Sequence, residues 1–254
     1  MEQVTEYKML SRRVMAHMKP GMQSNNFLRK EDYLTEIARG SLYLQEGEDY
    51  LLLFRQREGF LLMNYMFCSP RFLSLPPGQA IVTEVPLPPG REPAPRVLLE
   101  SGFQFLLRRF RFQREGAVPE VDAGLPRIVT AQPSQAEEIY GLLRESFPGY
   151  GGCLPAEQQL RREIDTGLVL TLPEGGAVLR YSCGEKESRL LQLAVAGTMR
   201  RRGCGRALVE EYLRRSAGRR CQVWTGEENL PARTLYEGCG FRPDGWQAVV
   251  LKKG

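Results

Sequence analysis

The stretch 190–213 constrains the fold of this chain more than any other. It reads LLQLAVAGTMRRRGCGRALVEEYL, in which a short apolar run precedes a basic turn with two glycines and an amphipathic run. The nearly uninterrupted apolar run 190–196 predicts a strand buried on both faces. The spacing of Ala207, Leu208 and Tyr212 places them on one face of a helix. The stretch therefore predicts a strand, a tight turn and a helix in direct succession.

The turn between this strand and helix has the features of an anion-binding site. Gly203 and Gly205, one residue apart, allow the backbone to approach a ligand closely. The helix that follows presents unpaired N–H groups and the positive end of its dipole, and the arginines at 200–202 add positive potential. These features predict a site for a diphosphate. The alternative is a tight turn with solvated arginines, and the Gly-Lys-Ser/Thr ending of a Walker loop is absent.

The same residues resemble the acyl-coenzyme A signature of the GNAT N-acetyltransferases, because Arg200-x-x-Gly203-x-Gly205 follows a strand and opens an amphipathic helix. The resemblance implies that acetyl-coenzyme A is the acyl donor and that its pantetheine lies along the central strand. The cofactor-binding residues that it implies are Leu193, Ala194 and Val195 on the strand, Arg200, Arg201, Arg202, Gly203, Cys204, Gly205 and Arg206 around the turn, and Asn229.

Tyr236 is the catalytic residue that the resemblance implies. It lies where the family often has a tyrosine that protonates the coenzyme A sulfur, and a phenol with a pKa of about 10 stays protonated at neutral pH. The alternative for Tyr236 is core packing, and the alternative for Asn229 is a helix N-cap. No general base is evident, because Gln192 stands in the strand where many relatives have a glutamate.

The order of predicted elements gives the fold class. From about residue 127 the chain reads as a strand, two helices, three strands, a helix, a strand, a helix and a strand. This order resembles the GNAT fold, a mixed central sheet flanked by helices, of the α+β or α/β class. The Ser134-Gln-Ala-Glu137 tetrad predicts a capping box at the first of these helices. The run 246–251 is the last predicted strand.

An internal repeat predicts two GNAT-like domains. Ala80-IVTEV followed by Arg96-VLLESGF parallels Cys221-QVWT followed by Arg233-TLYEGCGF. We expect a degenerate GNAT-like domain at 1–123, without a phosphate loop, and an acyl-coenzyme A-binding domain at 124–254. The Gly- and Pro-containing segment 114–126 is the predicted linker. In the repeat, Leu98 or Leu99 of the first half falls at the place of Tyr236.

Composition limits the other classes of function. The chain of 254 residues is 42% apolar and 26% charged, has no long apolar run and carries a net charge of +5. We expect a soluble cytoplasmic protein with no membrane partner, and nucleic acid is not favoured. Six cysteines without paired spacing and a single histidine give no zinc motif, so no metal is expected. The sequence leaves homodimer formation open.

The resemblance implies an N-acetyltransferase that transfers an acetyl group directly to an amine of an unidentified small molecule or peptide. Two alternatives stay open at this point. The missing base would suit a non-catalytic sensor of acyl-coenzyme A, and the scattered arginines would suit a transferase that uses aminoacyl-tRNA as its donor.

Overall fold

The computed structural model describes residues 1–68, 72–90, 95–115, 124–147, 149–151 and 154–254. Most of the predicted linker, and Cys153, lie outside these residues. Two compact units are present, Met1–Arg109 with Gly245–Gly254, and Phe110–Asp244. The last residues of the chain therefore complete the first unit. Domain ranges of 1–123 and 124–254 stay a prediction.

The first unit contains a sheet with helices, and it has two short strands that the sequence analysis did not assign. Its elements are β1 (Glu2–Gln3), α1 (Tyr7–Ala16), β2 (Gln23–Ser24), α2 (Lys30–Ala38), β3 (Leu42–Gly47), β4 (Tyr50–Arg57), β5 (Phe60–Phe67), β6 (Ala80–Leu87), α3 (Arg96–Glu100) and β7 (Gln104–Arg114), whose last residues belong to the second unit.

The second unit follows the predicted order of elements. They are β8 (Val129–Thr130), α4 (Ala136–Ser146), α5 (Glu157–Asp165), β9 (Val169–Thr171), β10 (Ala177–Cys183), β11 (Glu187–Val195), α6 (Cys204–Arg215), β12 (Arg220–Gly226), α7 (Leu230–Gly238) and β13 (Arg242–Lys253), whose last residues belong to the first unit.

The start of α4 differs from its prediction. A short 3-10 turn, Pro133–Gln135, precedes the helix, and the Gln132 N–H donates to Gln135 Oε1 at 2.9 Å. The predicted capping box from Ser134 to Glu137 is therefore wrong. Gln132 lies before a proline, which fixes the first turn and moves the reciprocal hydrogen bonds two residues upstream.

In the first unit, β3, β4 and β5 form antiparallel neighbours, and β5 pairs with β6 in parallel. The run Gln247–Lys253 of β13 pairs antiparallel with Leu87–Ile81 of β6. One core lies between this sheet and α1 and α2, where Leu10, Tyr33 and Leu51 are buried. The opposite face holds a second core that includes Leu73.

The second unit has helices on both faces of its sheet. Its strands follow the order β7-β12-β11-β10-β9-β8, and β11 and β12 are the parallel pair. Leu208 and Tyr212 of α6 form a core on one face. Leu143 of α4 and Leu160 of α5 form a core on the other face. The central strand β11 thus lies between two helical layers, as in an α/β sandwich.

None of the helices in the described ranges is long and apolar enough to cross a membrane.

Candidate functional site

The turn before α6 has a backbone that requires glycine. Gly203 is the N-cap of α6 and lies in the left-handed region, with φ 78° and ψ −4°. A β-carbon at this position would lie 3.1 Å from Leu125 Cδ2. Arg201, with φ 60°, is the one non-glycine residue of the described chain with a positive φ. Gly203 therefore fixes the entry into α6 through both its conformation and its lack of a side chain.

Gly205 has a different role from Gly203. A β-carbon at Gly205 would lie 3.3 Å from Leu235 Cδ2 and 3.9 Å from Val195 Cγ2. The missing side chain therefore lets the first turn of α6 pack closely against α7 and the end of β11. Its lack of a side chain serves contacts within the unit, and only its N–H group remains for a ligand.

The first turn of α6 leaves backbone donors without partners. Ala207 N–H donates to Gly203 O at 2.9 Å, so the N–H groups of Cys204 and Gly205 precede the helical hydrogen bonds. No side chain in the described ranges caps this end of α6. Within the described residues, no backbone acceptor bonds these N–H groups or those of Arg201 and Arg202. Such donors at the positive end of a helix dipole favour an anion.

The four arginines around this turn fall into two pairs. Arg201 and Arg202 are exposed, and neither forms a hydrogen bond or ion pair with a residue of the described ranges. Arg200 instead donates through Nε to Val195 O at 3.2 Å. Arg206 Nε lies 2.8 Å from the carboxylate of the buried Glu210. The first pair is thus available to an anionic ligand, whereas the second pair holds the turn and α6 in place.

The strands β11 and β12 separate part-way along their length. Arg180 of β10 pairs with Gln192, and the next residue pairs with Leu190, so Leu191 is an extra residue in a β-bulge. The parallel pairing of β11 with β12 ends at the bulge, at Leu190↔Val223. The predicted burial on both faces is wrong at Leu191, which is 45% exposed. Beyond the bulge, a gap opens between the two strands.

The edge of β11 that faces this gap carries the backbone groups of Leu193 and Val195. Ala196 N–H donates to Gly176 O on the β10 side, and successive residues of a strand point in opposite directions. Leu193 and Val195 therefore direct their N–H and C=O groups away from β10, whereas Ala194 pairs with Val178 of β10. An extended amide chain could pair with this edge as an added strand.

The comparison with protein families agrees with this geometry. Residues 136–241 match the model of the acetyltransferase (GNAT) family. This segment is a GNAT acetyltransferase domain. It contains the whole path from the bulge in β11 through the turn to α6 and α7.

A mycothiol acetyltransferase from Clavibacter sepedonicus is 31% identical to this chain over 134 residues, which are 48% of the chain and 42% of that protein. The match thus spans less than half the length of this curated relative. It supports the family of the GNAT domain and does not identify a substrate.

Two solved structures show that the fold extends beyond the GNAT domain matched by the family model. A GCN5-related N-acetyltransferase from Sphaerobacter thermophilus has a TM-score of 0.56 at 15% identity, over 86% of this chain and 84% of that one. A tandem GNAT protein from the clavulanic acid biosynthesis pathway has a TM-score of 0.51 at 14% identity, over 84% and 83%. At these identities the likeness concerns the fold alone. The GNAT fold class and the GNAT-like N-terminal half are confirmed.

Tyr236 of the GNAT domain lies on α7 with its ring packed and its hydroxyl unpaired. The ring meets Phe241 edge-on, with centroids 5.9 Å apart, and the residue is 4% exposed. The hydroxyl forms no hydrogen bond with a described residue. Burial raises the pKa of Tyr236, so the phenol is protonated at neutral pH.

Asn229 is the N-cap of α7 in the GNAT domain. Its Oδ1 accepts a hydrogen bond from Ala232 N at 3.2 Å, and the residue is exposed. This bond uses the side-chain oxygen and leaves the amide N–H groups to meet a ligand. The cap and a contact with a ligand are thus compatible, and the contact stays a prediction.

Sequence reasoning missed a polar network on the other face of β11. Arg180, 3% exposed, donates to the Glu163 carboxylate through Nε at 2.7 Å and Nη2 at 2.8 Å. Its third nitrogen donates to Gln192 Oε1. Gln192 Nε2 is enclosed and has no partner among the described residues. The signal in the sequence was an arginine in the apolar strand 177–181, a residue type that is buried only when it is paired.

The network also removes Gln192 and Glu163 as candidate bases beside the bulge of β11. Gln192 has no proton-accepting oxygen of useful basicity, and Glu163 is neutralised by Arg180. Within the described residues, no group of three or more His, Cys, Asp or Glu side chains could hold a metal ion.

Proposed function

We propose that this protein is an acetyl-coenzyme A-dependent N-acetyltransferase that acetylates an amine of a small molecule or peptide by direct transfer. One observation carries the proposal. The open edge of β11 is followed, after the 3-10 turn Gly197–Met199, by a turn whose backbone N–H groups bond no backbone acceptor of the described residues, so an amide chain and a diphosphate meet complementary groups in sequence. We expect the reaction to take place in the cytoplasm.

The donor-binding residues have separate roles in this proposal. The N–H groups of residues 203–205 bind the diphosphate, and Arg201 and Arg202 add charge-assisted hydrogen bonds. Leu193 and Val195 pair with the amides of the pantetheine chain, and the free amide N–H groups of Asn229 orient it. The residues thus fit an anionic ligand with an extended amide tail.

The chemical step needs two donors near the thioester. A neutral amine attacks the carbonyl carbon, and the N–H of Leu193 stabilises the negative charge that forms on the oxygen. The C–S bond then breaks, and the hydroxyl of Tyr236, which bonds no described residue, gives its proton to the departing sulfur; the proton released by the amine returns through water to the phenolate. The proton lost by the amine passes to water, because Gln192 of β11 cannot accept it and the Glu163 carboxylate is neutralised by Arg180.

Isothermal titration with acetyl-coenzyme A tests the placement of the donor. We expect the double variant Arg201→Glu with Arg202→Glu to bind at least about tenfold more weakly, because two charged contacts become repulsive. Arg161→Glu with Arg162→Glu on α5 is the matched control, since it makes the same change in net charge on another exposed pair. Equal affinities for both double variants would contradict the proposed diphosphate site.

A sensor that binds the acyl donor without turning it over is the second candidate, and the neutralised Glu163 favours it. Release of free thiol from acetyl-coenzyme A in the presence of a panel of amines, amino acids, aminoglycosides and peptides separates the two. Amine-dependent release supports the transferase. Tight donor binding without release by any amine supports the sensor.

A further inference from the structure

The strands β5 and β6 of the first unit are the counterparts of β11 and β12. In each unit the central strand is antiparallel to the strand before it and parallel to the strand after it. Each parallel pairing covers four residue pairs, and the last pairs are Met63↔Thr83 and Leu190↔Val223. Beyond these pairs the strands diverge in both units.

The gap in the first unit is filled by the chain itself. The short strand β2 pairs antiparallel with the end of β5, with Gln23 opposite Phe67 and Ser24 opposite Met66. Ser24 Oγ donates to Tyr65 O at 2.9 Å, and Asn25 N–H donates to the same oxygen at 3.3 Å. Residues 23–25 therefore cover the edge of β5 that no longer pairs with β6.

Asn25 bridges the two diverging strands through its side chain. Its Oδ1 accepts a hydrogen bond from Tyr65 N at 2.7 Å, and its Nδ2 donates to Glu84 O of β6 at 2.8 Å. A second contact of Nδ2, at 3.0 Å, reaches Thr83 Oγ1. Asn25 is 6% exposed, so these bonds are made in a dry environment, where an unpaired amide would be strongly unfavourable.

Tyr65 in the first unit occupies the position of Leu193 in the second unit. Tyr65 is two residues beyond the last parallel pair, and Leu193 is three residues beyond it with the extra bulge residue Leu191 included. The N–H of Tyr65 therefore corresponds to the N–H of Leu193. In the first unit, a carboxamide oxygen of the chain already occupies the place where the second unit is proposed to bind the thioester oxygen.

We infer that the gap between β5 and β6 of the first unit is a groove that the chain's own residues 23–25 fill. The chain consequently holds one acyl-donor site, in the second unit. The equivalence with the donor groove rests on the proposed function of the second unit. The described residues between β5 and β6, which are Cys68 and 72–79, form no helix, so this part of the connection offers no helix N-terminus to a diphosphate.

Amide hydrogen exchange, resolved by residue with NMR, and calorimetry test this inference on the full chain. We expect the Tyr65 amide to exchange slowly without ligand. Acetyl-coenzyme A should bind at one equivalent, slow the exchange of Leu193 and residues 203–205, and leave Tyr65 unchanged. Two equivalents, or ligand-induced protection at Tyr65, would overturn the inference.

The variant Asn25→Ala sharpens the test, with Gln23→Ala, an exposed side chain on the same segment, as its control. We expect Asn25→Ala to speed the exchange of Tyr65 at least about tenfold while donor affinity stays unchanged. Equal Tyr65 exchange in both variants would contradict the assignment. If no donor binds the wild type while Tyr65 exchange still depends on Asn25, the proposed function fails and the filled groove stands.

Discussion

The first unit closes the groove that the second unit leaves open. In the first unit, β4 and β5 keep one register throughout, and Asn25 joins β5 to β6 where they diverge. In the second unit, Leu191 interrupts the register of β10 and β11, and no strand of the described chain covers Leu193 on its open side. The same scaffold is therefore filled by its own chain in the first unit and left open in the second, where we propose that a free ligand binds.

The helices α3 and α7 end in the same way and differ in one side chain. Phe103 N–H donates to Leu98 O at 3.1 Å, and Phe241 N–H donates to Tyr236 O at 2.9 Å. Both helices end at a glycine with positive φ, as in a Schellman motif. Leu98, and not Leu99, thus stands in the place of Tyr236. The first unit keeps the packing of this helix and lacks the hydroxyl.

A third repeated feature is an ion pair between a helix and a later strand. Glu36 of α2 and Glu163 of α5 each lie four residues before a glycine with positive φ, and each pairs with an arginine on a following strand. Glu36 meets Arg57 of β4, and Glu163 meets Arg180 of β10. The repeat in the sequence therefore includes a buried ion pair, which neither composition nor the short apolar matches indicated.

The largest expected effect is the loss of turnover when the hydroxyl that distinguishes Tyr236 from Leu98 is removed. We expect Tyr236→Phe to lower turnover by about 10²–10⁴-fold, because the departing thiolate loses its proton donor. Donor affinity measured by calorimetry should change little. Tyr212→Phe is the control, since it removes the same hydroxyl from a buried tyrosine in the core below α6. Wild-type turnover of Tyr236→Phe would reduce Tyr236 to a packing residue.

The buried ion pair of the second unit should be the next most sensitive position. Glu163→Gln leaves the enclosed Arg180 without its counter-charge, which we expect to lower the free energy of unfolding by about 3–5 kcal/mol. Glu157→Gln, in the exposed pair with Arg161 on the same helix, should change it by less than about 1 kcal/mol. Urea denaturation of both variants compares them. Similar midpoints would show that the buried pair does not support the second unit.

A smaller effect, on donor affinity, should distinguish substitution of Gly203 from substitution of a glycine with a similar backbone conformation. Gly203→Ala introduces a β-carbon near Leu125 at the proposed diphosphate site, and donor affinity should fall about tenfold. Gly218 has nearly the same φ, 76°, and open space around it, so Gly218→Ala should lower the melting temperature and leave donor affinity unchanged. Loss of affinity in both variants would point to general destabilisation.

The smallest effect concerns the dependence of stability on pH in the first unit. Burial alone would raise the pKa of Glu36, but the hydrogen bonds and charge of Arg57 outweigh it and hold the pKa below its ordinary value of 4.5. The contribution of Glu36 is therefore complete above about pH 4.5 and is lost as the pH falls through the lower, folded-state value. Wild type and Glu36→Gln should converge in stability toward acid pH. Parallel curves down to pH 3 would exclude this linkage.

Much of the fold could be predicted from local patterns. The repeat of apolar residues, the glycines at 203 and 240 and the prolines between elements place nearly every helix and strand of the second unit. Pairing between distant segments could not be predicted in the same way. The run 246–251 reads as a strand, but nothing local shows that it pairs with β6.

The candidate site was predictable where it depends on backbone and glycine, and not where it depends on contacts. The turn 200–205 could be predicted from the sequence because two glycines, one residue apart, lie between an apolar run and an amphipathic run. The bulge at Leu191 leaves no such trace, since any residue can be the extra one. Residues 23–25 could not be assigned at all, because their partners lie about forty residues away along the chain.

A crystal structure of the protein grown with coenzyme A tests the central comparison most directly. We predict density for one coenzyme A per chain, with its diphosphate on the N–H groups of residues 203–205 and its amide chain beside Leu193, while Asn25 stays bonded to Tyr65. Density between β5 and β6, or an empty gap beside β11 at saturating ligand, would contradict the account.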